Sequence, residues 1–205
     1  MHHGPGRLTT MSTTALDPID RPVVFLDVDG VVNHDAWSRP RGEEWELIDP
    51  ACVARVERLC RATGAAVVIS SAWREVVGLA RTVAALRANG LTVDVVGETP
   101  VITRAFYAES PRGDEVRAWL STRAMVDRWV VLDDNHVDVD PGRFVLTNPA
   151  VGLTDADVER AVAILSAPRL DFVDTLLDCR RELAAKGVVV DFDAMMEEID
   201  GARAM

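Results

Sequence analysis

Two aspartates stand two positions apart, Asp27 and Asp29, in the stretch VVFLDVDGVVN from Val23 to Asn33. Four apolar residues lead into Asp27, and Gly30 lets the chain turn away directly after Asp29. In extended backbone, residues i and i+2 share a side, so both carboxylates can face one pocket while Val28 faces the other way. Carboxylates facing one pocket repel each other unless a cation lies between them or one holds a proton. Hard oxygen ligands of this kind suit Mg²⁺, which takes one or two carboxylates and completes its shell with water and substrate phosphate. The pair therefore points to metal, phosphate or both. An Asp-Gly after a strand is also an ordinary turn, so the rest of the chain has to decide.

The elements that would position these acids can be read in order. His34 to Asp49 carries Pro, Gly, two tryptophans and mixed charge without a period, and reads as a loop or small hairpin overhanging the acids. Asp49-Pro50 opens a helix with Val53, Val56, Leu59 and Cys60 on its buried face, ending at Gly64. Ala65 to Ile69 is a buried strand that delivers Ser70 and Ser71. A helix is expected from about Glu75 to Ala88, with Val76, Leu79, Ala80, Val83 and Leu86 on one face and Asn89-Gly90 as its stop. Leu91 to Val96 is the third strand. Val101 to Pro111 is irregular and holds Arg104. A helix follows from about Gly113 to Ala124, with Val116, Trp119 and Leu120 inward. Trp129 to Leu132 is the fourth strand, with Asp133 and Asp134 at its exit, and Arg143 to Thr147 the fifth. Thr154 and Asp157 have the spacing of a capping box before the last helix of this part, whose stripe is Val158, Ala161, Val162 and Leu165.

Alternating strands and helices imply an α/β fold, a Rossmann-like three-layer sandwich with a central parallel sheet, since each parallel crossover needs a helix to return the chain. Such sheets bind ligands beyond the carboxyl ends of their strands. Asp27, Ser70 and Asp133 all fall there.

The string FLDVDG resembles the first motif of the haloacid dehalogenase superfamily, in which the first aspartate is the nucleophile and the second the general acid/base. By that resemblance Asp27 attacks phosphorus to form an aspartyl-phosphate, and Asp29 protonates the leaving oxygen and later activates water. Ser70, in VVISSAWR, is similar to the second motif, a hydroxyl bonded to the transferring phosphoryl group. That string is close to one in small members, including the phosphatase-like domains of RNA-repair proteins. Serine there can also simply cap a helix. The third motif is a basic residue, usually lysine. The chain has one lysine, Lys186, far outside the order, so the resemblance assigns the role to an arginine. Arg112 in RGDEVRAWL is favoured by position and Arg104 is the alternative. Polynucleotide 3′-phosphatases of the superfamily show the same variation. VVLDDN is similar to the fourth motif, which implies Mg²⁺ held by Asp27, Asp133 and Asp134 together with Asp29 through its backbone carbonyl. Ser71 and Arg74 are expected to contact substrate. The string GLTDADVERAVAIL extends the similarity to about Leu165.

Neither possible insertion point leaves room for a large cap domain. An open site of this kind suits phosphates on large substrates such as a polynucleotide end. Trp37, Arg39, Arg41 and Trp45 are placed to stack bases and contact phosphates there, or else to anchor their loop to the core. The resemblance thus implies a Mg²⁺-dependent phosphomonoesterase acting on a phosphorylated substrate, nucleic-acid or nucleotide phosphate among the candidates. The rivals are a 2-haloacid dehalogenase, which has no use for the acid at Asp29, and a phosphate-binding regulatory module without turnover. Phosphonate cleavage through a lysine imine is disfavoured by the position of Lys186. A response-regulator receiver is disfavoured because its acid pair comes early and its phosphoacceptor stands alone on the third strand.

Three domain segments are expected: a disordered lead over 1–21, a catalytic domain over 22–168, and a helical acidic extension over 169–205. The extension carries 5 basic and 9 acidic residues, and its stripe of Leu170, Val173, Leu176, Leu177 and Leu183 either packs on the chain's own body or pairs two copies. The lead has no apolar core and no window reaches the length of a membrane span, so a cytoplasmic protein without membrane partners is expected. Cys52, Cys60 and Cys179 are an odd number, and the first two read as small core residues. A net charge of −11 opposes broad nucleic-acid binding but not recognition of one phosphorylated end.

Overall fold

The structure is a computed structural model and describes residues 19–41, 47–102, 111–123 and 126–167. The expected C-terminal extension, Arg104, Trp45, Cys179 and most of the expected lead lie outside the described residues. Of that lead, Ile19 packs against the core and Arg21 pairs with Asp94 at 2.7 Å.

Five parallel strands form one sheet in the order β3-β2-β1-β4-β5. They are β1 (Val23–Leu26), β2 (Ala66–Ile69), β3 (Val95–Glu98), β4 (Trp129–Asp133) and β5 (Phe144–Leu146). The continuous apolar runs of β1 and β2 follow from their central position, where both faces are covered. Val24, Leu26, Val67, Ile69, Val130 and Leu132 turn to one side. There they meet α2 (Pro50–Thr63), α4 (Leu79–Ala88) and α6 (Asp155–Ser166). Val23, Phe25, Val68 and Val131 turn to the other and meet α5 (Arg112–Ser121), where Trp119 stands edge-on to Phe25 with ring centroids 5.3 Å apart. The α/β three-layer architecture with a central parallel sheet is thus present. The stretches 27–49 and 99–111, which flank the carboxyl ends of the strands, are too short to fold as a separate cap domain.

Helix α2 begins where Asp49 accepts the Ala51 N–H at 2.8 Å and ends at Gly64, whose φ of 71° suits glycine. Cys52 and Cys60 are buried free thiols in its inner face. Burial pushes the Cys52 thiol up to about 11 and that of Cys60 up to about 12, so both act as small apolar residues. The Asp49 carboxylate also receives the His34 ring Nε2 at 3.0 Å and the Cys52 thiol at 3.6 Å. That buried clasp ties the two ends of the 34–49 stretch together. The capping box of Thr154 and Asp157 opens α6.

Three local expectations are corrected. Residues 34–41 form a short helix α1 (Asp35–Ser38) and a 3₁₀ turn over Arg39–Arg41 instead of a loop or hairpin. His34 starts it, its carbonyl accepting the Trp37 and Ser38 N–H groups. The helix expected over Glu75–Ala88 is broken into α3 (Trp73–Val76) and α4 by Val77-Gly78, with Gly78 at φ 84°. The apolar period therefore does not run through the break: Val76 is 71% exposed, and Thr82 is buried instead. Strand β3 forms at Val95–Glu98, later than Leu91–Val96, because the Glu57 carboxylate of α2 captures the N–H groups of Thr92 and Val93 at 2.8 and 3.1 Å.

Candidate active site

Pairing of Leu26 with both Ile69 and Leu132 sets the exits of β1, β2 and β4 side by side. The Asp27 N–H donates to the Leu132 carbonyl at 3.0 Å and the Ser70 N–H to the Leu26 carbonyl at 2.8 Å, so the sheet ladder itself positions the site. Side-chain oxygens of Asp27, Asp133 and Asp134 lie within 4.8 Å of one another. Arg112, the first residue of α5, reaches over them with Nη1 3.6 Å from Asp27 Oδ1 and 3.7 Å from Asp133 Oδ2. Of the two arginines weighed from the sequence, Arg112 is the one the described residues place at the acids.

Two glycines permit this approach. A Cβ on Gly30 (φ 72°) would lie 2.2 Å from the Asp134 carboxyl carbon, and one on Gly113 would lie 2.1 Å from the Asp138 carbonyl oxygen. Gly30 lets Asp134 fold over the first turn, and Gly113 lets the first turn of α5 sit on the chain leaving β4. The Thr147 hydroxyl locks the same corner by donating to the Gly30 carbonyl at 2.9 Å.

Electrostatics explain what the cluster needs. Burial, and secondarily the Asp27 charge, push Asp133 up to about 7, against the pull of Arg112. Asp27 is raised too, by burial first, while Arg112, the Ser71 hydroxyl and the Val28 N–H at 2.8 Å oppose the rise. Asp134 is raised as well, mainly by burial. Three carboxyls that resist ionisation together, with only hard oxygen donors, fit a divalent cation such as Mg²⁺, whose charge would allow all three to ionise.

Asp29 stands beside this group rather than within it. Its oxygens accept from Asn33 Nδ2 and Trp73 Nε1, each at 2.9 Å, and its side chain faces solvent. Its charge still contributes to raising Asp27 and Asp134. The Asp29 side chain therefore does not share the pocket of Asp27, as the i, i+2 spacing of extended backbone alone would have it. The cause is the turn beginning at Asp27, which ends the strict alternation.

Ser70 is buried with its hydroxyl lacking a hydrogen-bond partner. A buried hydroxyl without a partner at the exit of the strand next to β1 is available to donate a hydrogen bond. Ser71 is buried and hydrogen-bonds the Asp27 carboxylate. Arg74 differs from the expectation that it contacts substrate. Its guanidinium side chain is 2% exposed, with Nη2 2.5 Å from Glu115 Oε2 and Nη1 2.5 Å from the Ser71 carbonyl. Glu115 also takes the Ile102 N–H at 3.1 Å and lies 3.9 Å from Arg112 Nε. It thus ties α3, α5 and the chain after β3 into one buried network that supports Arg112. Neither Glu115 nor Trp73 and Asn33 stand out in the sequence, since each acts through another side chain. Trp37 is half-buried on α1, and the side chain of Arg41 lies outside what is described.

A protein family described as the HAD domain in Swiss Army Knife RNA repair proteins matches residues 23–158. The chain belongs to this family. The match runs from the first residue of β1 into α6 and includes Asp27, Ser70, Arg112, Asp133 and Asp134. Membership of the haloacid dehalogenase (HAD) superfamily makes the chain a HAD-type domain of the hydrolase and phosphatase kind. No curated protein and no solved structure matches the chain. No helix among the described residues is long and apolar enough to cross a membrane.

Proposed function

We propose that the protein is a Mg²⁺-dependent phosphomonoesterase that works through an aspartyl-phosphate on Asp27, with a terminal phosphate of a nucleic acid or nucleotide as substrate. One observation carries the reading: a buried carboxylate at a strand exit, flanked by an orphan hydroxyl and an arginine, beside two further acids. An Asp27 oxygen attacks phosphorus as the ester P–O bond breaks, and Asp29 delivers its proton to the departing alcohol oxygen. Asp29, now a carboxylate, takes a proton from the water that attacks the phosphorus of phosphorylated Asp27. The P–O bond to Asp27 then breaks and inorganic phosphate leaves. Ser70 donates to a phosphoryl oxygen and Arg112 offers its fork to the others, balancing charge as the group transfers. Asp27, Asp133 and Asp134 would hold Mg²⁺, which supplies charge neutralisation at the phosphoryl oxygens.

The nucleic-acid part of the proposal draws on the family's occurrence in RNA repair proteins and on the lack of room for a cap. A panel of nucleotides, sugar phosphates, phosphopeptides and 3′- or 5′-phosphorylated oligonucleotides, assayed for phosphate release with Mg²⁺, tests it. Release from the oligonucleotides, lost in Asp27→Asn, is expected. Full activity in Asp27→Asn overturns the assignment of the nucleophile.

A further inference from the structure

On one face of the sheet, α5 is the helix that packs on β1 and β4 among the described residues. Between α5 and the end of β3 lies a cleft of about 330 Å³. Its walls include Glu98, Thr99 and Val101 from the strand side and Trp119, Thr122 and Arg123 from the helix side. Three polar atoms of these walls are buried without a hydrogen-bond partner: Thr99 Oγ1, Trp119 Nε1 and Arg123 Nε. Thr99 is 1% exposed and Trp119 3% exposed, so these two orphan atoms belong to side chains the fold holds fixed, while the Arg123 side chain is half-buried. Buried donors without partners are rare in native proteins, and three around one cleft ask for a common explanation.

Their chemistry narrows the occupant. The indole N–H and the arginine N–H can only donate, and the threonine hydroxyl can do either. The guanidinium is already oriented: its carbon lies 4.0 Å from the Trp119 ring centroid, and Nη1 donates to the Thr122 hydroxyl at 2.7 Å and the Trp119 carbonyl at 3.4 Å. Nε remains as its unmet donor. Burial pulls the Arg123 pKa below its ordinary value, and among the described residues no carboxylate offsets that pull. Gly97 adds room, because an added Cβ there would meet only Trp119 Nε1, at 4.0 Å. The single acid of the wall, Glu98, is exposed.

We propose that this cleft is an oxyanion subsite, in which Trp119, Arg123 and Thr99 donate to a phosphate group. Arg112 opens α5 and Arg123 lies two residues past its end, so the length of the helix, roughly 15 Å at about 1.5 Å per residue, separates them. A short phosphorylated oligonucleotide spans that distance, so the phosphate is either free or an internal phosphate of the substrate proposed above. The subsite itself does not depend on the catalytic reading, whereas its use by substrate rests on it.

The test uses the full chain carrying Asp27→Asn, so that nothing is turned over. The ¹⁵N-labelled protein is titrated with inorganic phosphate while the Trp119 indole N–H resonance is followed, assigned with Trp119→Phe. A saturable downfield shift is expected, with affinity weakened about tenfold in Arg123→Gln and in Thr99→Val, the scale of one charge-assisted hydrogen bond. Chloride at equal ionic strength leaves the resonance in place. No saturable shift with phosphate, or equal affinity in both variants, overturns the subsite. A phosphorylated trinucleotide then separates the sources. A shift at lower concentration than with inorganic phosphate assigns the cleft to the substrate backbone, and a shift at equal or higher concentration assigns it to free phosphate. Because binding is read without turnover, an inactive wild-type protein would refute the phosphatase proposal and leave the subsite standing.

Discussion

Arg112 holds one positive charge between Asp27 and Asp133, two carboxyls whose burial otherwise favours their protonated forms. The pH dependence of the metal-free protein follows from the sign of those shifts. A carboxyl whose folded pKa is raised stabilises the fold at pH below its unfolded value, near 3.8, and that stability is lost as pH climbs through its folded pKa, about 7 for Asp133. Raising the pH from 5 to 8 should therefore lower the melting temperature of the metal-free chain, and Mg²⁺ should restore it. Thermal melts at the two pH values should show a larger Mg²⁺-induced rise at pH 8, and an equal rise at both would contradict the assignment of the cation site. Glu115 has a different signature. Glu115→Gln leaves Arg74 buried without its charge partner, so denaturant unfolding should show a loss of about 3 kcal/mol. Loosening of Arg112 should lower kcat about 10–100-fold, the usual scale for residues that hold a functional group in place. An unchanged kcat would mean Arg112 keeps its position without this support. Asp27, Ser70 and Asp133 were legible in the sequence because each directly follows an apolar run, and Arg112 by its place in the order of motifs. Glu115 was not, because a helical glutamate at that spacing looks like any solvated residue until α3 is seen to bring Arg74 against it.

At the scale of elements, the site depends on how closely helix and loop backbones approach. Gly113→Ala places a methyl group where the Asp138 carbonyl lies, so the first turn of α5 must lift and carry Arg112 with it. This substitution should destabilise the fold by about 1–3 kcal/mol, the usual range for overpacking, and lower turnover as well. Gly64→Ala meets no atom within 4 Å and strains only the left-handed backbone there, so it should cost stability alone. Melting and kcat measured on both variants separate the effects, and full activity in Gly113→Ala would show that α5 is not seated as described. The five strands and the long helices were readable from apolar period and caps, as in α2 and α6. The break at Gly78 was not, since Val76, Leu79, Val83 and Leu86 keep helical spacing across it. The late start of β3 was hidden for a similar reason: the side chain that captures Thr92 and Val93, Glu57, comes from another element.

At the scale of the molecule, a strongly acidic chain is proposed to act on an acidic substrate. With a net charge of −11, long-range repulsion opposes the encounter, and salt screens it. For a phosphorylated oligonucleotide, kcat/KM should rise as monovalent salt increases from about 20 to 150 mM at constant Mg²⁺, the reverse of the usual trend for nucleic-acid binders. A steep fall with salt would show that a basic surface outside the described residues governs binding. The sheet order places the exits of β1, β2 and β4 together, and this bears most directly on the claim that Asp27 is the nucleophile. The decisive measurement is a borohydride quench during turnover of the best substrate, followed by peptide mass analysis, since an acyl-phosphate is reduced to the alcohol where a free carboxylate is not. The account requires homoserine at position 27, absent when substrate is omitted. Turnover that leaves Asp27 unmodified, or that marks a different carboxylate, would contradict it.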